Sequence, residues 1–313
     1  MNSLPFGRAA EAADPGLAAA EQRLAEWHRL LDRLTILLAA PAAEGFEGAV
    51  RTLADELAAL AQGDPDMAQA LLVHPDFCAA HPYSVAHSAH VAATWAVLGL
   101  RQGSAPSEMT VPLAAALTMN LSMLALQDQL THQDAPLKPE QREQIRRHPA
   151  QSAALLRDAG ITDSLWLGMV EQHHETPSGA EPLPEARRLR MIDVYCACFG
   201  SRVRRHPLLP DQAVRRLYQQ HPQEPTALAL GHAFGLYPPG TVVRLASLEL
   251  ALVVRRGRAA NTPVAAALQG AGGEALANPA RRDTAQPGYT VVAAVTPALL
   301  RARIPWALLF TLC

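Results

Sequence analysis

The segment LWLGMVEQHHETPSG, residues 165 to 179, ends an apolar helical pattern with two adjacent histidines and a carboxylate. His173, His174 and Glu175 therefore lie where a helix is predicted to end, just before a loop of helix-breaking residues. Neutral imidazole is the commonest protein ligand of transition metals, so the pair is a candidate metal-binding element. Neighbouring histidines on a helix point about 100° apart, and a surface or packing role is the alternative.

The composition is that of a globular protein with a sizeable core. Of the 313 residues, 49% are hydrophobic and 18% are charged, which excludes an extended disordered chain. The formal net charge of −2 gives no basic field that would attract nucleic acid or anionic lipid. We therefore expect neither nucleic acid nor a membrane among the partners.

Cysteine usage and the first residues indicate a cytoplasmic protein. The opening MNSLPFGRAAEAADPG lacks the apolar run of a secretory signal. The longest apolar segments, 111–126 and 304–313, are shorter than the ~18 residues of a spanning helix, so no membrane span is predicted. The cysteines form no CxxC pair and no zinc-like spacing, as expected in a reducing compartment. They are Cys78, Cys196, Cys198 and Cys313.

The spacing of apolar residues divides the chain into three predicted regions. Residues 1–74 form an N-terminal helical region, in which Pro41 and Gly45 separate two amphipathic helices. Residues 75–236 form a helical domain, and residues 237–313 form a small β-rich C-terminal region. The N-terminal helices are expected to pack on the helical domain or to pair two chains in a homodimer.

The helical domain is predicted to consist of successive helices with hardly any strand-like alternation. These helices cover residues 84–98, 112–126, 140–147, 185–202, 211–220 and 227–235. The third is expected to stop before His148, because a residue that precedes a proline, here Pro149, disfavours helical backbone. His148 would then lie at a junction between helices, facing either inward or toward solvent.

Three polar residues interrupt apolar faces of this domain. His87 shares a face with apolar residues, where a lone histidine is more often a hydrogen-bonded core residue than a ligand. Asn120 lies in the middle of the most apolar helix, and a buried amide needs polar partners. Asp193 needs a cation or several donors, and an ion pair is the alternative to metal binding. The neighbouring arginines are Arg187, Arg188 and Arg190.

The C-terminal region changes character after the turn formed by Pro238, Pro239 and Gly240. The sequence TVVRLASLELALVVRR (241–256) predicts two strands, because it is rich in β-branched residues and alternates in polarity. Residues 257–288, rich in Gly, Ala and Pro, are expected to be disordered, and TVVAAV (290–295) and an apolar tail follow. So small a β-rich region should dock on the helical domain.

Four segments, taken in order, are similar to motifs of one known family. They are YSVAHSAHVA (83–92), APLKPEQREQIRRHP (135–149), EQHHE (171–175) and MIDVYCA (191–197). They resemble the first-ligand helix, the segment that ends in a His-Pro pair, the paired-histidine motif and the aspartate helix of the HD-GYP family, a branch of the HD-domain metal phosphohydrolases. The resemblance covers roughly residues 75–245, about half of the chain.

The resemblance implies a mainly α fold: an HD-domain-like helical bundle with an N-terminal helical extension and a small C-terminal β-rich appendage. It also implies a metal-dependent site, because characterised members of the family hydrolyse cyclic di-GMP. Cyclic di-GMP or another nucleotide, and signalling proteins, are the partners that follow from it. The metal ligands that the resemblance assigns are His87, His148, His173, His174 and Asp193.

The sequence departs from the family at the centre of the implied site. Where the family carries its naming His-Asp pair, the chain has Met119 and Asn120, and Met123 replaces a lysine. In the family that aspartate bridges two metal ions, and a neutral amide does not supply its negative charge. The GYP motif is also absent, with Gly179 and Pro182 as its only remnants. A binuclear site is therefore not expected.

We consider three hypotheses about function. The first is a catalytically degenerate HD-GYP-like protein that acts as a regulatory or interaction module in cyclic-dinucleotide signalling. The second is a phosphohydrolase with a mononuclear site, since three protein ligands and a water are enough for a catalytic metal. The third is a helical scaffold that binds no nucleotide. At most one divalent ion, Fe, Mn or Zn, is expected, and a protein without metal is the alternative.

Overall fold

The computed structural model describes residues 15–174, 181–199 and 208–312, with only the backbone of Asp211. Its helices are α1 (Pro15–Ala39), α2 (Phe46–Gly63), α3 (Pro65–Val73), α4 (Pro75–Cys78), α5 (Tyr83–Gln102), α6 (Pro106–Thr118), α7 (Leu124–His132), α8 (Pro139–Asp158), α9 (Ser164–Gln172), α10 (Pro184–Ala197), α11 (Pro210–Gln220), α12 (Pro225–Phe234) and α13 (Trp306–Thr311). Its strands are β1 (Val242–Leu245), β2 (Leu250–Arg255), β3 (Val264–Gln269), β4 (Ala275–Asp283) and β5 (Val291–Ala294). The predicted fold class, mainly α with a small C-terminal β-rich region, is confirmed.

The predicted pair of N-terminal helices is present as α1 and α2. Their apolar stripes face inward, with Trp27 and Leu31 of α1 and Leu57 of α2 buried. The apolar tail of the chain forms α13, which packs on α1. One core cluster consequently extends from Ala20 to Phe310.

Helix α5 is the central helix of the fold and extends the predicted 84–98 at both ends. It packs against α2, α3, α6, α7 and α10, and nearly all of its residues are buried. Close packing requires small residues: a Cβ added at Gly99 would lie 2.6 Å from Sδ of Met109 on α6. The same burial places His87 and His90 in the interior of the protein.

The predicted helix over residues 112–126 is wrong in one respect, because it breaks after Thr118. A 3-10 turn separates α6 from α7. Ser122 in this turn is hydrogen-bonded to α8: its backbone N–H donates to Oγ of Ser152 (3.1 Å), and its hydroxyl donates to the carbonyl oxygen of His148 (3.0 Å). These contacts between distant parts of the chain stabilise the break.

The segment Pro106–His132, which includes α6 and α7, is long and apolar enough to cross a membrane by length and composition alone. In the fold, 72% of its most apolar window is buried. Burial of this kind is typical of a core helix in a globular protein.

Helix α8 runs through His148 and Pro149 without interruption, so the predicted end at residue 147 is wrong. A proline inside a helix lacks the N–H that would donate to the carbonyl four residues earlier. That carbonyl, of Ile145, instead accepts a hydrogen bond from Nδ1 of His148 (2.6 Å). The imidazole replaces the missing backbone donor, and the helix continues.

The remaining helices of the predicted domain differ little from expectation. Helix α10 starts at Pro184 and ends at Ala197, earlier than the predicted residue 202, and residues 200–202 lie outside the described part of the chain. Helices α11 and α12 agree with the predicted helices over 211–220 and 227–235.

The five strands form one antiparallel sheet in the order β4-β3-β2-β1-β5. The two strands predicted between residues 241 and 256 are confirmed as β1 and β2. The expectation of disorder over 257–288 is wrong, because β3 and β4 lie there. β3 contains three fully buried alanines, and its small side chains fit between the neighbouring strands and the core. The turn after it contains Gly273 with φ of 89°, a conformation that favours glycine.

The sheet is joined to α3 by two ion pairs. Asp66 accepts hydrogen bonds from the backbone N–H of Arg256 (3.1 Å) and from its Nε, and Nη1 of the same arginine donates to the carbonyl oxygen of Ala233 (3.0 Å). Asp64 lies 3.2 Å from Arg255. The side chain of Asp66 is only 10% exposed, so water screens the ion pair between Asp66 and Arg256 poorly.

We expect Asp66→Ala to lower the free energy of unfolding by about 2–4 kcal/mol, because it leaves a partly buried guanidinium and a backbone N–H without their acceptor. Urea unfolding followed by circular dichroism measures this. Glu44→Ala, at an exposed turn position, is the control and should change the same quantity by less than about 0.5 kcal/mol. Equal effects of the two variants would contradict the role assigned to the ion pair.

Candidate metal centre

Three histidines bring ring nitrogens together where α8 packs against α9. His148 belongs to α8, His173 and His174 follow the last turn of α9, and their candidate ligand atoms lie within 4.8 Å of one another. His148 and His173 are fully buried, whereas the side chain of His174 is 38% exposed. We call these three residues the histidine cluster. It has two interior donors and one donor at the surface.

Helix hydrogen bonding determines which nitrogen of the two buried rings carries the proton. Nδ1 of His148 contacts the carbonyl oxygen left free by Pro149, and Nδ1 of His173 lies 2.7 Å from the carbonyl oxygen of Val170. Val170 is in the last turn of α9, where carbonyls lack intrahelical donors. A carbonyl oxygen only accepts, so Nδ1 is the protonated nitrogen of each neutral ring. Each Nε2 is left with a bare lone pair.

The two Nε2 atoms face each other at 3.1 Å. Two lone pairs in contact repel, and a cation bound to both relieves the repulsion. Two nitrogens on one ion at about 2.0–2.1 Å would lie roughly 3.0–3.4 Å apart, in agreement with the observed spacing. Metal-bound histidines also donate their second N–H to a carbonyl or carboxylate, as both rings do here. The donor set therefore fits one divalent transition metal.

Burial lowers the pKa of His148 to about 4 and that of His173 to about 3. Removal from water is the largest cause in both residues, because the interior disfavours the charged imidazolium. The neighbouring ring of His174 lowers both values further. Both buried rings are consequently neutral at pH 7, which is the form that binds metal.

Asp193 on α10 lies between two imidazoles. Its Oδ1 accepts a hydrogen bond from Nε2 of His87 (2.7 Å), and its Oδ2 lies 3.5 Å from Nε2 of His174. Burial alone would raise the pKa of this carboxyl, but the hydrogen bond from His87 and the nearby imidazoles hold it well below its usual range. Asp193 is therefore an ionised carboxylate at the edge of the histidine cluster.

His87 orients Asp193 and does not itself reach the histidine cluster. Its Nε2 is engaged with the carboxylate, and its ring stacks on Tyr83 with centroids 5.6 Å apart. Two of the three arginines considered as ion-pair partners of Asp193 have other partners, since Arg187 pairs with Glu181 and Arg188 donates to Gln102 (2.7 Å).

Met119 and Asn120, which the resemblance places at the family's His-Asp pair, are buried beside α8. Met119 is fully buried and Asn120 is 3% exposed. The turn that follows them is tied to the backbone of His148 through Ser122. Neither side chain carries a charge, so neither could act as a carboxylate ligand that bridges two ions.

Some functional contacts were not predicted from the sequence. The carbonyl oxygens of Ile145 and Val170 orient the two buried rings, and Ser122 fixes the turn that follows Asn120. The contact with the carbonyl oxygen of Ile145 could have been predicted, because Pro149 follows Ile145 by four residues and His148 directly precedes the proline. Glu175 and Gly179 lie outside the described residues.

Comparisons with known proteins found one similar sequence and one similar fold. No family model matches the chain. The cyclic di-GMP phosphodiesterase PA4108 of Pseudomonas aeruginosa is 27% identical over 224 residues, which is 67% of this chain and 53% of that protein. The chain thus spans about half the length of this relative. Bd1817, an HDG"Y"P protein from Bdellovibrio bacteriovorus, has a similar fold, with a TM-score of 0.56, 12% identity and coverage of 72% of this chain and 74% of the other.

Restoring the missing pair tests whether residues 119 and 120 belong to the site. The double variant Met119→His with Asn120→Asp should bind more iron, manganese or zinc than the wild type. Without metal it should be less stable, because each new buried polar group costs ~1–3 kcal/mol, and metal should restore the loss. Elemental analysis and thermal unfolding with and without metal measure both effects. A folded double variant with unchanged metal content would show that the correspondence of AALTMNLSM (115–123) to the His-Asp motif is wrong.

Proposed function

We propose that this chain, which resembles the HD-GYP family in sequence and fold, is a regulatory or interaction module of cyclic-dinucleotide signalling whose metal site is reduced to a single ion. The observation that carries this proposal is the combination of an intact histidine cluster with a neutral Asn120 where the family has its bridging aspartate. The cluster retains the means to bind one ion. The charge that would hold a second ion is missing.

The one-ion proposal rests on the number and kind of donors. His148, His173 and His174 supply three neutral nitrogens, and Asp193 supplies one carboxylate nearby. Three protein ligands are a usual set for a single transition metal. Hydrolysis by a two-metal site requires one ion for the attacking water and another for the charge on the phosphate and the leaving group. A single ion bound here would supply positive charge for a phosphate group. It would not provide a second ion, so the attacking water and the leaving group would not each have an ion of their own.

The partners follow from the relative that is named a cyclic di-GMP phosphodiesterase. We propose cyclic di-GMP or a related nucleotide as the ligand, and signalling proteins, including a second copy of the chain, as macromolecular partners. Cys78 and Cys196 are in the thiol form, in keeping with the cytoplasmic location that we propose.

A mononuclear phosphohydrolase is the second candidate. It is favoured by the exposure of His174, which leaves the surface side of the histidine cluster accessible to water and substrate. Asp193, held ionised by His87, could accept a proton from a water molecule there. The two candidates differ in turnover and share the requirement for metal.

Metal content tests the common part of both candidates. Protein purified without chelators should contain about one equivalent of transition metal, and His174→Ala should weaken binding of Zn²⁺ or Mn²⁺ by at least about 10- to 100-fold, because it removes a direct ligand. His232→Ala, on the exposed face of α12, is the matched control and should bind like the wild type. Less than about a tenth of an equivalent in the wild type would contradict both candidates.

Turnover separates the two candidates. We expect the metal-loaded wild type to bind cyclic di-GMP in calorimetric titration and to hydrolyse it below about 0.001 s⁻¹, far under the usual enzymatic range. Hydrolysis at about 1 s⁻¹ or faster, lost in His174→Ala, would replace our proposal by the phosphohydrolase. Absence of both binding and turnover would leave the scaffold hypothesis.

A further inference from the structure

A cleft of about 360 Å³ lies at the end of the sheet where the β1–β2 and β3–β4 turns are found. Its wall is formed by the β1–β2 hairpin, by residues 269–273 at the end of β3 and by residues 298–301. The backbone N–H of Arg301 donates to Oε1 of Gln269 (3.1 Å), which ties the last of these segments to β3. The cleft is large enough for a small molecule and shares no residue with the candidate metal centre.

The cleft is positively charged. Arg244 and Arg301 line it, and none of its lining residues is acidic. Neither arginine forms an ion pair with a carboxylate in the described part of the chain. Glu249 of the same hairpin is already engaged, because it accepts hydrogen bonds from Arg282 (2.6 and 2.9 Å) and from Ser247 (2.7 Å). Two guanidinium groups without a counter-ion in a concave site favour an anion with two charges.

The glycine-rich turn in the wall can be approached closely by an anionic group. A Cβ added at Gly270 or at Gly272 would overlap the carboxylate of Glu274, so this carboxylate lies directly against the turn. The backbone N–H groups of Ala271 and Gly272 have no acceptor among the described residues. The turn therefore has unused donors for an anion, and its nearest charge is a carboxylate that a stronger anion would have to displace or tolerate.

Two exposed leucines add an apolar surface to the cleft. Leu248 is 59% exposed and Leu299 is 46% exposed, and both line the wall. In the described part of the chain, Leu248 is the one residue other than glycine with a positive φ (68°). A side chain disfavours this conformation, which glycine adopts without strain. A leucine here costs stability and buries little apolar surface in return, which is accounted for if its side chain contacts a ligand.

From these observations we propose that the cleft binds a small phosphate monoester that carries an aliphatic group. The phosphate has a charge of about −1.5 to −2 at pH 7 and accepts hydrogen bonds from Arg244 and Arg301. It matches the two arginines in charge, whereas a carboxylate would neutralise only one of them. The aliphatic group packs on Leu248 and Leu299. This site is additional to the metal centre, and the proposed function neither requires nor predicts it.

Monobutyl phosphate is a suitable probe for the cleft. Titrated into the full-length isotope-labelled protein after removal of metal, it should shift resonances of residues that line the cleft, with a Kd of about 0.1–1 mM. Arg244→Gln and Arg301→Gln should each weaken binding by at least about 10-fold, because each removes a hydrogen bond between charged groups. Arg303→Gln is the matched control, since Arg303 is exposed, follows Arg301 closely and lies outside the cleft. It should bind like the wild type.

Two further variants separate binding from stability. Glycerol phosphate has the same charge as monobutyl phosphate but a polar chain, and it should bind the wild type about 3- to 10-fold more weakly. Leu248→Gly should raise the thermal unfolding temperature, because glycine suits a φ of 68°. It should also weaken monobutyl phosphate about 3-fold and leave glycerol phosphate unchanged. Glu274→Gln should strengthen binding of both esters about 2- to 5-fold, because it removes a like charge beside the turn.

Three results would overturn the proposal: no saturable shift up to roughly 10 mM ester, equal affinity of the wild type for the two esters, or equal loss of binding in Arg301→Gln and Arg303→Gln. Thermal unfolding shows whether each variant is folded. If the arginine variants do not fold, the comparison of the two esters in the wild type and in Leu248→Gly still decides. The titrations use neither metal nor cyclic di-GMP, so their failure is distinguishable from failure of the proposed function.

Discussion

The hydrogen bond from His148 to the carbonyl oxygen of Ile145 is the contact on which the candidate site depends. Pro149 removes the backbone donor of that carbonyl, and the imidazole takes its place within the same helix. One interaction thereby keeps α8 continuous, fixes the tautomer of the ring and points its second nitrogen at His173. The missing backbone donor of the helix and the orientation of a candidate metal ligand thus have a single cause.

Other helices orient the remaining side chains of the candidate site in a similar way. His173 is oriented by the end of α9, where a carbonyl without an intrahelical donor accepts its N–H. His87 is placed by the burial of α5 and in turn holds Asp193. Each side chain of the site is therefore positioned by a helix that is packed on several sides, and helices position ligands more accurately than loops do. This frame is present in a chain whose residue 120 is a neutral asparagine.

The sequence predicted the fold class and the order of the helices, because helical periodicity is a local signal. His148, His173 and His174 were also among its candidate ligands, and their ring nitrogens lie close together in the structure, whereas His87 does not reach them. Contacts between distant segments account for the errors. The helix break after Thr118 depends on Ser122 reaching α8, and the continuity of α8 depends on a side chain replacing a backbone donor. The alanine-rich β3 was predicted to be disordered, because its small side chains give little strand signal by themselves. They pack only when neighbouring strands lie on both sides.

Met119 is fully buried and belongs to the continuous apolar core. A thioether at this position contributes packing and apolar burial whether or not an ion is nearby. A histidine there would contribute fully only with metal bound, and the protein would depend on that metal for part of its folding energy. With methionine, the fraction of folded chains is less sensitive to the supply of iron, manganese or zinc. In a cell whose metal levels fluctuate, the amount of this protein would then follow its synthesis, because unfolded chains are the ones that proteases remove.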